Sequence, residues 1–321
     1  DRFTPLRGGD RSAPDRHQTL LAVIDWSWNL LDDAERRALR WLSTFHDGFT
    51  LEAAESMLGP VALDSVHTLT NQSLLALLES DAGVRYRMLE TVREFGRMRL
   101  VDAGEERDAQ DAHRAWAVEY ADRYARTLVS EDQFAAVDAV RAEENNLADV
   151  LREALATGDA ATVVQVLATL GTYWMILGDH PRIYVLAGAV CDVLGGWTPP
   201  AHLADAARVA LSVTVNNAVI GEGEQAEKLR AVLRELGPGD SDPRIAAQVT
   251  IMQDFEPTQS VAFIERLHGY AAGGDRYLAM AALLWLGFAL ENMGDPSGAM
   301  RAVEDALLRV DPRDGPWTRA I

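Results

Sequence analysis

A glycine-rich stretch in the second half of the chain has the residue types that a dinucleotide-binding loop needs. An apolar run from Val209 leads to Gly221, Gly223 and Ala226, which have the spacing Gly-x-Gly-x-x-Ala, and a helical pattern follows. In a dinucleotide-binding unit, such glycines let the backbone approach a pyrophosphate. The two glutamates within the stretch have the wrong charge for a pyrophosphate, however, and no further strand–helix units follow. We therefore favour a second interpretation, a glycine turn between two paired helices.

Other patterns that carry common chemistries are absent from the sequence. The seven histidines and the single cysteine, Cys191, form no metal-ligand spacing, and there is no His-Glu-x-x-His helix. No Gly-x-Ser-x-Gly nucleophile elbow is present. A Walker A loop needs Gly-Lys followed by Ser or Thr, and Lys228, the only lysine, does not stand in such a tripeptide. The sequence thus predicts no catalytic site, no metal site and no ATPase activity of this chain.

Composition and charge narrow the classes of partner. Of the 321 residues, 48% are hydrophobic and 25% are charged, which is typical of a globular protein. The net charge of -19 is concentrated after residue 100, where the chain carries -16. This charge argues against autonomous binding to nucleic acid or to an anionic membrane. No apolar run approaches the roughly 18 residues of a membrane span. Since one cysteine excludes an internal disulfide, we predict a cytoplasmic protein.

The first hundred residues predict several short helices followed by a hairpin. Residues 1–18 are rich in Gly, Pro, Arg and Asp and are typical of a connector. From residue 19, apolar residues at helical spacing predict a helix whose apolar stripe includes Val23 and Leu30. Asp32 and Thr50 are suited to begin two further helices, and the predicted core face of the first of these is Leu39, Leu42 and Phe45. Two apolar runs with turn residues between them could then pair, over residues 74–78 and 84–88. This order of elements predicts a winged helix at residues 19–103.

Beyond the predicted winged helix, the sequence shows only helical patterns, so the fold class is predicted as mainly α. Two long linking helices are expected over residues 104–158, and a domain of four helix pairs over residues 159–321. The predicted pairs are 160–177 with 182–194, 202–220 with 224–236, 243–254 with 258–271, and 275–292 with 296–310. A repeat of about 35 to 45 residues indicates an α-solenoid. Gly287, Ala299 and Ala306 in the last pair lie at the tetratricopeptide spacing, so we predict tetratricopeptide-like pairs.

Two segments of the chain resemble a known family. The first is RHQTLLAVIDWSWNLLDDAERRALRWLSTFHDGFTLEAAESML and the second is RYRMLETVREFGRMRL. Both closely resemble the winged-helix region of bacterial NB-ARC regulators, which are signal-transduction ATPases of the STAND class and include transcriptional regulators of the SARP type. The resemblance implies that an ATPase module precedes this chain and binds ADP or ATP with Mg²⁺. The start at Asp1, without an initiator Met, also predicts a piece of a longer protein.

The resemblance also assigns residues to the nucleotide. In the wider NB-ARC family, a Met-His-Asp motif follows the wing strand, and its histidine contacts the diphosphate of bound ADP. Met88, Leu89 and Glu90 occupy this motif here, and a leucine cannot donate a hydrogen bond. Nearby basic side chains could compensate, or they could be ordinary surface side chains. The residues that we place toward the nucleotide are Arg16, His17, Arg87, Leu89 and Glu90.

The predicted solenoid is the expected binding site for a signal, either a protein or a small molecule. Stacked helix pairs form an extended concave groove, here between residues 160 and 310, lined by the first helix of each pair. Tyr173, Asn217 and Glu291 are our probes of this groove, and the acidic charge favours a basic or amphipathic partner. A groove that only packs against the ATPase module is the alternative. Residues 143–146, Glu-Glu-Asn-Asn, are interpreted as an exposed helix face, with a contact to another domain as the alternative.

These observations lead to one functional hypothesis and two rivals. We expect the switch-and-sensor part of a STAND-type regulator of transcription, in which the repeats bind a signal and control the upstream nucleotide switch. A tetratricopeptide scaffold for protein–protein interaction, without nucleotide switching, is the first rival. An autonomous DNA-binding winged helix is the second. Its candidate recognition helix, ALDSVHTLTNQSL, contains no Arg or Lys to contact phosphates or guanine.

Overall fold

The fold was analysed in a computed structural model, which describes residues 22–80, 83–218, 224–255 and 261–320. The prediction of a mainly α fold is confirmed, because these residues form many packed helices and a two-stranded antiparallel sheet. The chain forms two compact units, Asp1–Trp116 and Ala117–Ile321. The domain limits at residues 18, 103 and 158 stay a prediction.

The first unit contains short helices and the hairpin. Its elements are α1 (residues 22–29), α2 (Asp33–Leu42), α3 (Leu51–Leu58), α4 (Ala62–Asn71), β1 (Ala76–Ser80), β2 (Gly83–Arg87), α5 (Glu90–Ala103) and the first part of α6 (Glu106–Ala125). Two predicted caps begin α2 and α3. The carboxylate of Asp32 accepts from the Glu35 amide at 2.9 Å, and the Thr50 hydroxyl accepts from the Ala53 amide at 3.2 Å. Both satisfy amides that a helix start leaves without a partner.

The hairpin is joined to the loop before α3. In the hairpin, Leu77 lies opposite Tyr86. Phe49 then pairs with Tyr86 through two backbone hydrogen bonds of 2.9 and 2.8 Å. Gly48, with φ of +76°, precedes this bridge, and a Cβ atom on it would lie 2.5 Å from the Tyr86 carbonyl oxygen. The bridge therefore needs a glycine at residue 48.

The core of the first unit follows the predicted helical faces in part. Leu39, Leu42 and Phe45 are fully buried, as the pattern of α2 predicted. The predicted apolar stripe of α1 is partly wrong, because Val23 and Leu30 each expose about half of their surface. The predicted start of that helix at residue 19 lies outside the described residues.

Glu105 connects the end of the α5 region to α2. Its carboxylate accepts from the Arg40 guanidinium at 2.8 and 3.0 Å and from the Trp41 indole at 2.9 Å. The hydrogen bond from Arg40 is the main reason that the pKa of Glu105 lies below its usual value. A depressed folded-state pKa means that the ionised carboxylate stabilises the fold.

We expect the stability that Glu105 contributes to depend on pH. It should be fully present above the unfolded-state pKa of about 4.3 and lost as pH falls through the lower folded-state pKa. A Glu105→Gln variant should be less stable than the wild type by about 1–3 kcal/mol at pH 7, and the difference should shrink below pH 4. Urea unfolding between pH 3 and pH 7 measures this. Glu94→Gln, at an exposed position of α5, is the control and should change stability little at any pH. A Glu105→Gln deficit that stays constant with pH would contradict the assignment.

The second unit is an array of helices. Its elements after the end of α6 are a 3-10 turn (Thr127–Val129), α7 (Gln133–Thr157), α8 (Ala160–Leu177), α9 (His180–Tyr184), α10 (Ala187–Leu194), α11 (Ala204–Ala218), α12 (Glu224–Leu236), α13 (Pro243–Asp254), α14 (Val261–Ala271), α15 (Arg276–Asn292), α16 (Pro296–Leu307) and α17 (Pro316–Ala320). Neighbouring helices pack in a helical-repeat arrangement. The second helix of the first predicted pair is interrupted by a turn at Val185 and Leu186, so it forms α9 and α10.

Glycines allow close helix crossings in this array. A Cβ atom on Gly287 would lie 3.0 Å from Cγ2 of Val303, where α15 crosses α16. A Cβ atom on Gly171 would lie 2.8 Å from Cγ1 of Val213, where α8 crosses α11. The tetratricopeptide assignment itself stays a prediction.

The dinucleotide-binding alternative is wrong. Its glycine loop must follow a β-strand, but the residues before the loop form α11. Residues 219–223, which contain the glycines, lie outside the described part of the chain.

The apolar helix α8 corrects the statement that no run approaches a membrane span. Its 18 residues have a mean hydropathy of 1.5, so length and composition alone would allow it to cross a membrane. However, 67% of this helix is buried inside the protein. Such burial is typical of a core helix, which can be as long and as apolar as a membrane span.

Candidate functional site

Two buried and two partly exposed side chains meet at the junction of α7, α8 and α9. One carboxylate oxygen of Glu144, on α7, accepts from the Trp174 indole at 2.9 Å and from the Arg182 guanidinium at 2.5 Å. The other accepts from the Tyr173 hydroxyl at 3.2 Å. Trp174 and Tyr173 are buried, with 3% and 1% of their surface exposed. Glu144 therefore satisfies buried donors from α8, and we call these four residues the Glu144 cluster.

The Glu144 cluster reaches solvent through Arg182. This side chain is 50% exposed, whereas that of Glu144 is 17% exposed. The Arg182 guanidinium also pairs with Asp179 at 2.7 Å and lies 5.9 Å from the centre of the Trp174 ring. Burial, and next the negative charge of Glu144, raise the pKa of Tyr173, so its hydroxyl remains a donor. A ligand could thus reach the partly buried Glu144 carboxylate by replacing one exposed guanidinium.

A second polar group lies beside the Glu144 cluster, on α8, α9 and α11. The Asn217 amide nitrogen donates to the Val213 carbonyl at 2.8 Å and to the Met175 sulfur at 3.2 Å. Its amide oxygen is then left to accept from Nδ1 of His180, at 2.8 Å. This assignment places the proton of a neutral His180 ring on Nδ1. The His180 ring itself is exposed.

The structure corrects two of the three groove predictions. Tyr173 and Asn217 are each only 1% exposed, because both point into the polar groups at the α8–α9 junction and not into an open groove. They cannot offer surface to a partner in this structure, although both lie behind the exposed Arg182 and His180. Glu291 is exposed near the end of α15 and is not part of either group.

The interpretation of residues 143–146 as an exposed face is wrong for Glu143 and Asn146, whereas Asn145 is exposed. Glu143 and Asn146 are buried, and the Asn146 amide donates to the Glu143 carboxylate at 2.7 Å. The reason is that α7 packs against both α8 and α10. The signal that sequence reasoning missed is the spacing of Val140, Glu143 and Leu147, which places the glutamate on the same helix face as two core residues.

The strand–helix junction of the first unit holds the predicted nucleotide-facing residues. Met88 is buried, and the exposed Leu89 is the N-cap of α5, without a side-chain hydrogen bond. Glu90 pairs with the buried Arg93 at 2.6 Å, and this hydrogen bond lowers the pKa of Glu90. The sequence analysis missed Arg93, whose guanidinium also lies 3.5 Å from Nδ1 of His46.

All five nucleotide-facing assignments stay predictions. Arg87 is exposed at the end of β2. Arg16 and His17 lie outside the described residues. Within the described ranges, no group of three or more His, Cys, Asp or Glu side chains could hold a metal ion.

Curated relatives of this chain are mycobacterial. "Putative HTH-type transcriptional regulator Rv0890c" of Mycobacterium tuberculosis is 34% identical over 180 residues, which are 54% of this chain and 20% of the relative. The same values hold for "Putative HTH-type transcriptional regulator Mb0914c" of Mycobacterium bovis. "Uncharacterized protein Rv0894" of Mycobacterium tuberculosis is 30% identical over 112 residues, which are 33% of this chain and 28% of that protein.

The similarity is limited in extent. The chain spans about one fifth of the length of the regulators that it matches. No family model matches the chain, and no solved structure matches it. The match to the two regulators supports a relationship of this chain to a family of transcriptional regulators.

Proposed function

We propose that this chain is the switch-and-sensor part of a STAND-type ATPase that regulates transcription in the cytoplasm. Its similarity to HTH-type regulators supports the regulatory role. The NB-ARC resemblance of the first hundred residues supports the nucleotide switch. The observation that carries the sensing role is the Glu144 cluster, because a partly buried carboxylate that is covered by one exposed arginine can exchange partners without unfolding a helix.

In this proposal the signal acts on the helical array. Binding beside Arg182 and His180 rearranges the hydrogen bonds of Glu144 and Asn217, which hold α7, α8, α9 and α11 together. The array then packs less well against the upstream ATPase module, which exchanges ADP for ATP with Mg²⁺ and oligomerises. The signal must bind the open and closed states with different affinities, because a ligand with equal affinity for both does not change their relative populations. This chain is not itself an enzyme.

Nucleotide binding by this chain alone should be weak or absent. The sequence has no Walker A loop, and the exposed Leu89 has no polar group to contact a phosphate. Calorimetric titration with ADP, and with ATP and Mg²⁺, should show no heat of binding at micromolar concentrations. GTP is the control for unspecific binding to arginines. Micromolar affinity of this chain for ADP would contradict the proposal that the upstream module binds the nucleotide.

Transcript profiling tests the regulatory role and separates it from the scaffold alternative. When the gene that encodes this chain is silenced, a defined set of transcripts should change and should recover on complementation. An interaction scaffold without a nucleotide switch predicts unchanged transcripts. Direct DNA binding by this chain is not required, because α4, the candidate recognition helix, exposes Asp64 and His67 but has no Arg or Lys.

A further inference from the structure

The segment before α7 contacts residues that lie more than a hundred positions later in the chain. The guanidinium of Arg244, in the first turn of α13, donates to the Val129 carbonyl at 2.7 Å. The backbone amide of Trp317, in α17, donates to the side-chain oxygen of Gln133 at 2.7 Å. These hydrogen bonds join residues near the beginning of the second unit to its second-last helix pair, which contains α13, and to its last helix, α17.

The contacts at this segment are buried and close. Leu128 is fully buried, and the Gln133 amide nitrogen donates to its carbonyl at 2.6 Å. A Cβ atom on Gly315, just before α17, would lie 2.6 Å from the Ser130 carbonyl oxygen. Gly315 has φ of +87° and ψ of 158°, a conformation that is essentially restricted to glycine. The two backbones therefore touch without room for a side chain.

The end of the chain that makes these contacts is itself anchored to α15. Asp314 is buried, and its carboxylate binds the Arg276 guanidinium at 2.6 and 3.0 Å and the Tyr277 hydroxyl at 3.1 Å. Arg276 also donates to the Arg309 carbonyl at 2.8 Å. Gly315 and Trp317 thus move with the last helix pair, so their contact with residues 127–133 is a contact between two distant parts of the array.

An ordinary solenoid has contacts only between neighbouring repeats, and its stability is a sum of local terms. We infer that residues 127–133, together with Arg244, Gly315 and Trp317, form a clasp that makes residues 127–133 and residues 314–320 open and close together. Release of the clasp exposes Leu128 and frees the first turns of α13 and α17. It is a conformational change built into the array, separate from the rearrangement at the Glu144 cluster.

Hydrogen exchange of the whole chain with a Gln133→Ala substitution tests the clasp. The substitution removes the acceptor of the Trp317 amide and the donor to the Leu128 carbonyl. Loss of one buried and one partly buried hydrogen bond should accelerate exchange of the amides in residues 127–132 and in residues 317–320 together, by at least about tenfold. Gln253→Ala is the matched control, because Gln253 donates to the Leu233 carbonyl of the neighbouring helix. It should leave exchange at both ends of the clasp unchanged.

A second variant changes the clasp at Gly315, the residue that contacts Ser130. Gly315→Ala pushes a methyl group against Ser130, whereas Gly59→Ala, at φ of +67° and ψ of -146°, imposes a similar backbone strain in open space. Gly315→Ala should accelerate exchange over residues 127–132, and Gly59→Ala should not. The inference is overturned if Gln133→Ala and Gly315→Ala each change exchange only within their own segment while the opposite end keeps wild-type protection.

Discussion

Replacement of Glu144 by alanine is expected to lower the free energy of unfolding of the second unit by about 2–5 kcal/mol. The substitution leaves the Trp174 indole and the Tyr173 hydroxyl without their shared acceptor, and both side chains are buried. Each buried donor without a partner costs about 1–3 kcal/mol. Chemical denaturation of the wild type and the variant, followed by tryptophan fluorescence, measures the difference.

A surface acid on the same helix is the control for this prediction. Asp138 pairs with Arg141 at 2.6 Å, but its side chain is 68% exposed. Asp138→Ala should therefore cost no more than about 0.5 kcal/mol. If both variants lose the same small amount of stability, Glu144 is an ordinary surface carboxylate and the cluster is not a stabilising network.

Replacement of Gly48 by alanine should destabilise the first unit by about 2–4 kcal/mol. The left-handed backbone conformation costs an L-residue about 1–2 kcal/mol, and the added methyl group would lie 2.5 Å from the Tyr86 carbonyl oxygen. To relieve this contact, the bridge between Phe49 and Tyr86 must move, and overpacking of this kind costs about 1–3 kcal/mol. Thermal unfolding monitored by circular dichroism checks the prediction.

Gly104→Ala is the control that separates the cost of the backbone conformation from the cost of the steric clash with Tyr86. Gly104 ends α5 at φ of +68°, and a Cβ atom on it would meet nothing within 4 Å. Gly104→Ala should cost only about 1–2 kcal/mol, the cost of the backbone conformation alone. Equal losses in the two variants would show that the contact with Tyr86 has no effect.

Local signals in the sequence predicted much of the fold. Asp32 and Thr50 begin helices because their side chains bind free amides within three residues, a relation that the sequence displays directly. The hairpin followed from two apolar runs that flank turn residues. Gly287 marks a helix crossing because a glycine on a core face permits a close approach. In each case the determining residues are neighbours in sequence or on one helix face.

The candidate site could not be derived in the same way. Helix α8 is apolar on nearly every face, so its pattern does not indicate which neighbouring helix Tyr173 contacts. In the structure, Tyr173 is buried against Glu144. The facing of Asn217 depends on His180 and Met175, which lie on other helices. The contact of Gln133 with Trp317 joins residues 184 positions apart. Such pairings are set by tertiary packing, which one sequence does not display.

The measurement that tests the sensing role most directly is the transcriptional response of a strain whose native gene carries Arg182→Ala. This substitution uncovers the Glu144 carboxylate on its exposed side. Arg152→Ala is the matched control, because Arg152 forms an exposed ion pair of 2.6 Å with Asp149 on α7, outside the cluster. We expect Arg182→Ala to alter the transcripts that depend on this gene, at unchanged protein level, and Arg152→Ala to leave them at wild-type values. If both strains match the wild type in every growth condition in which silencing of the gene has an effect, the Glu144 cluster is not the sensor.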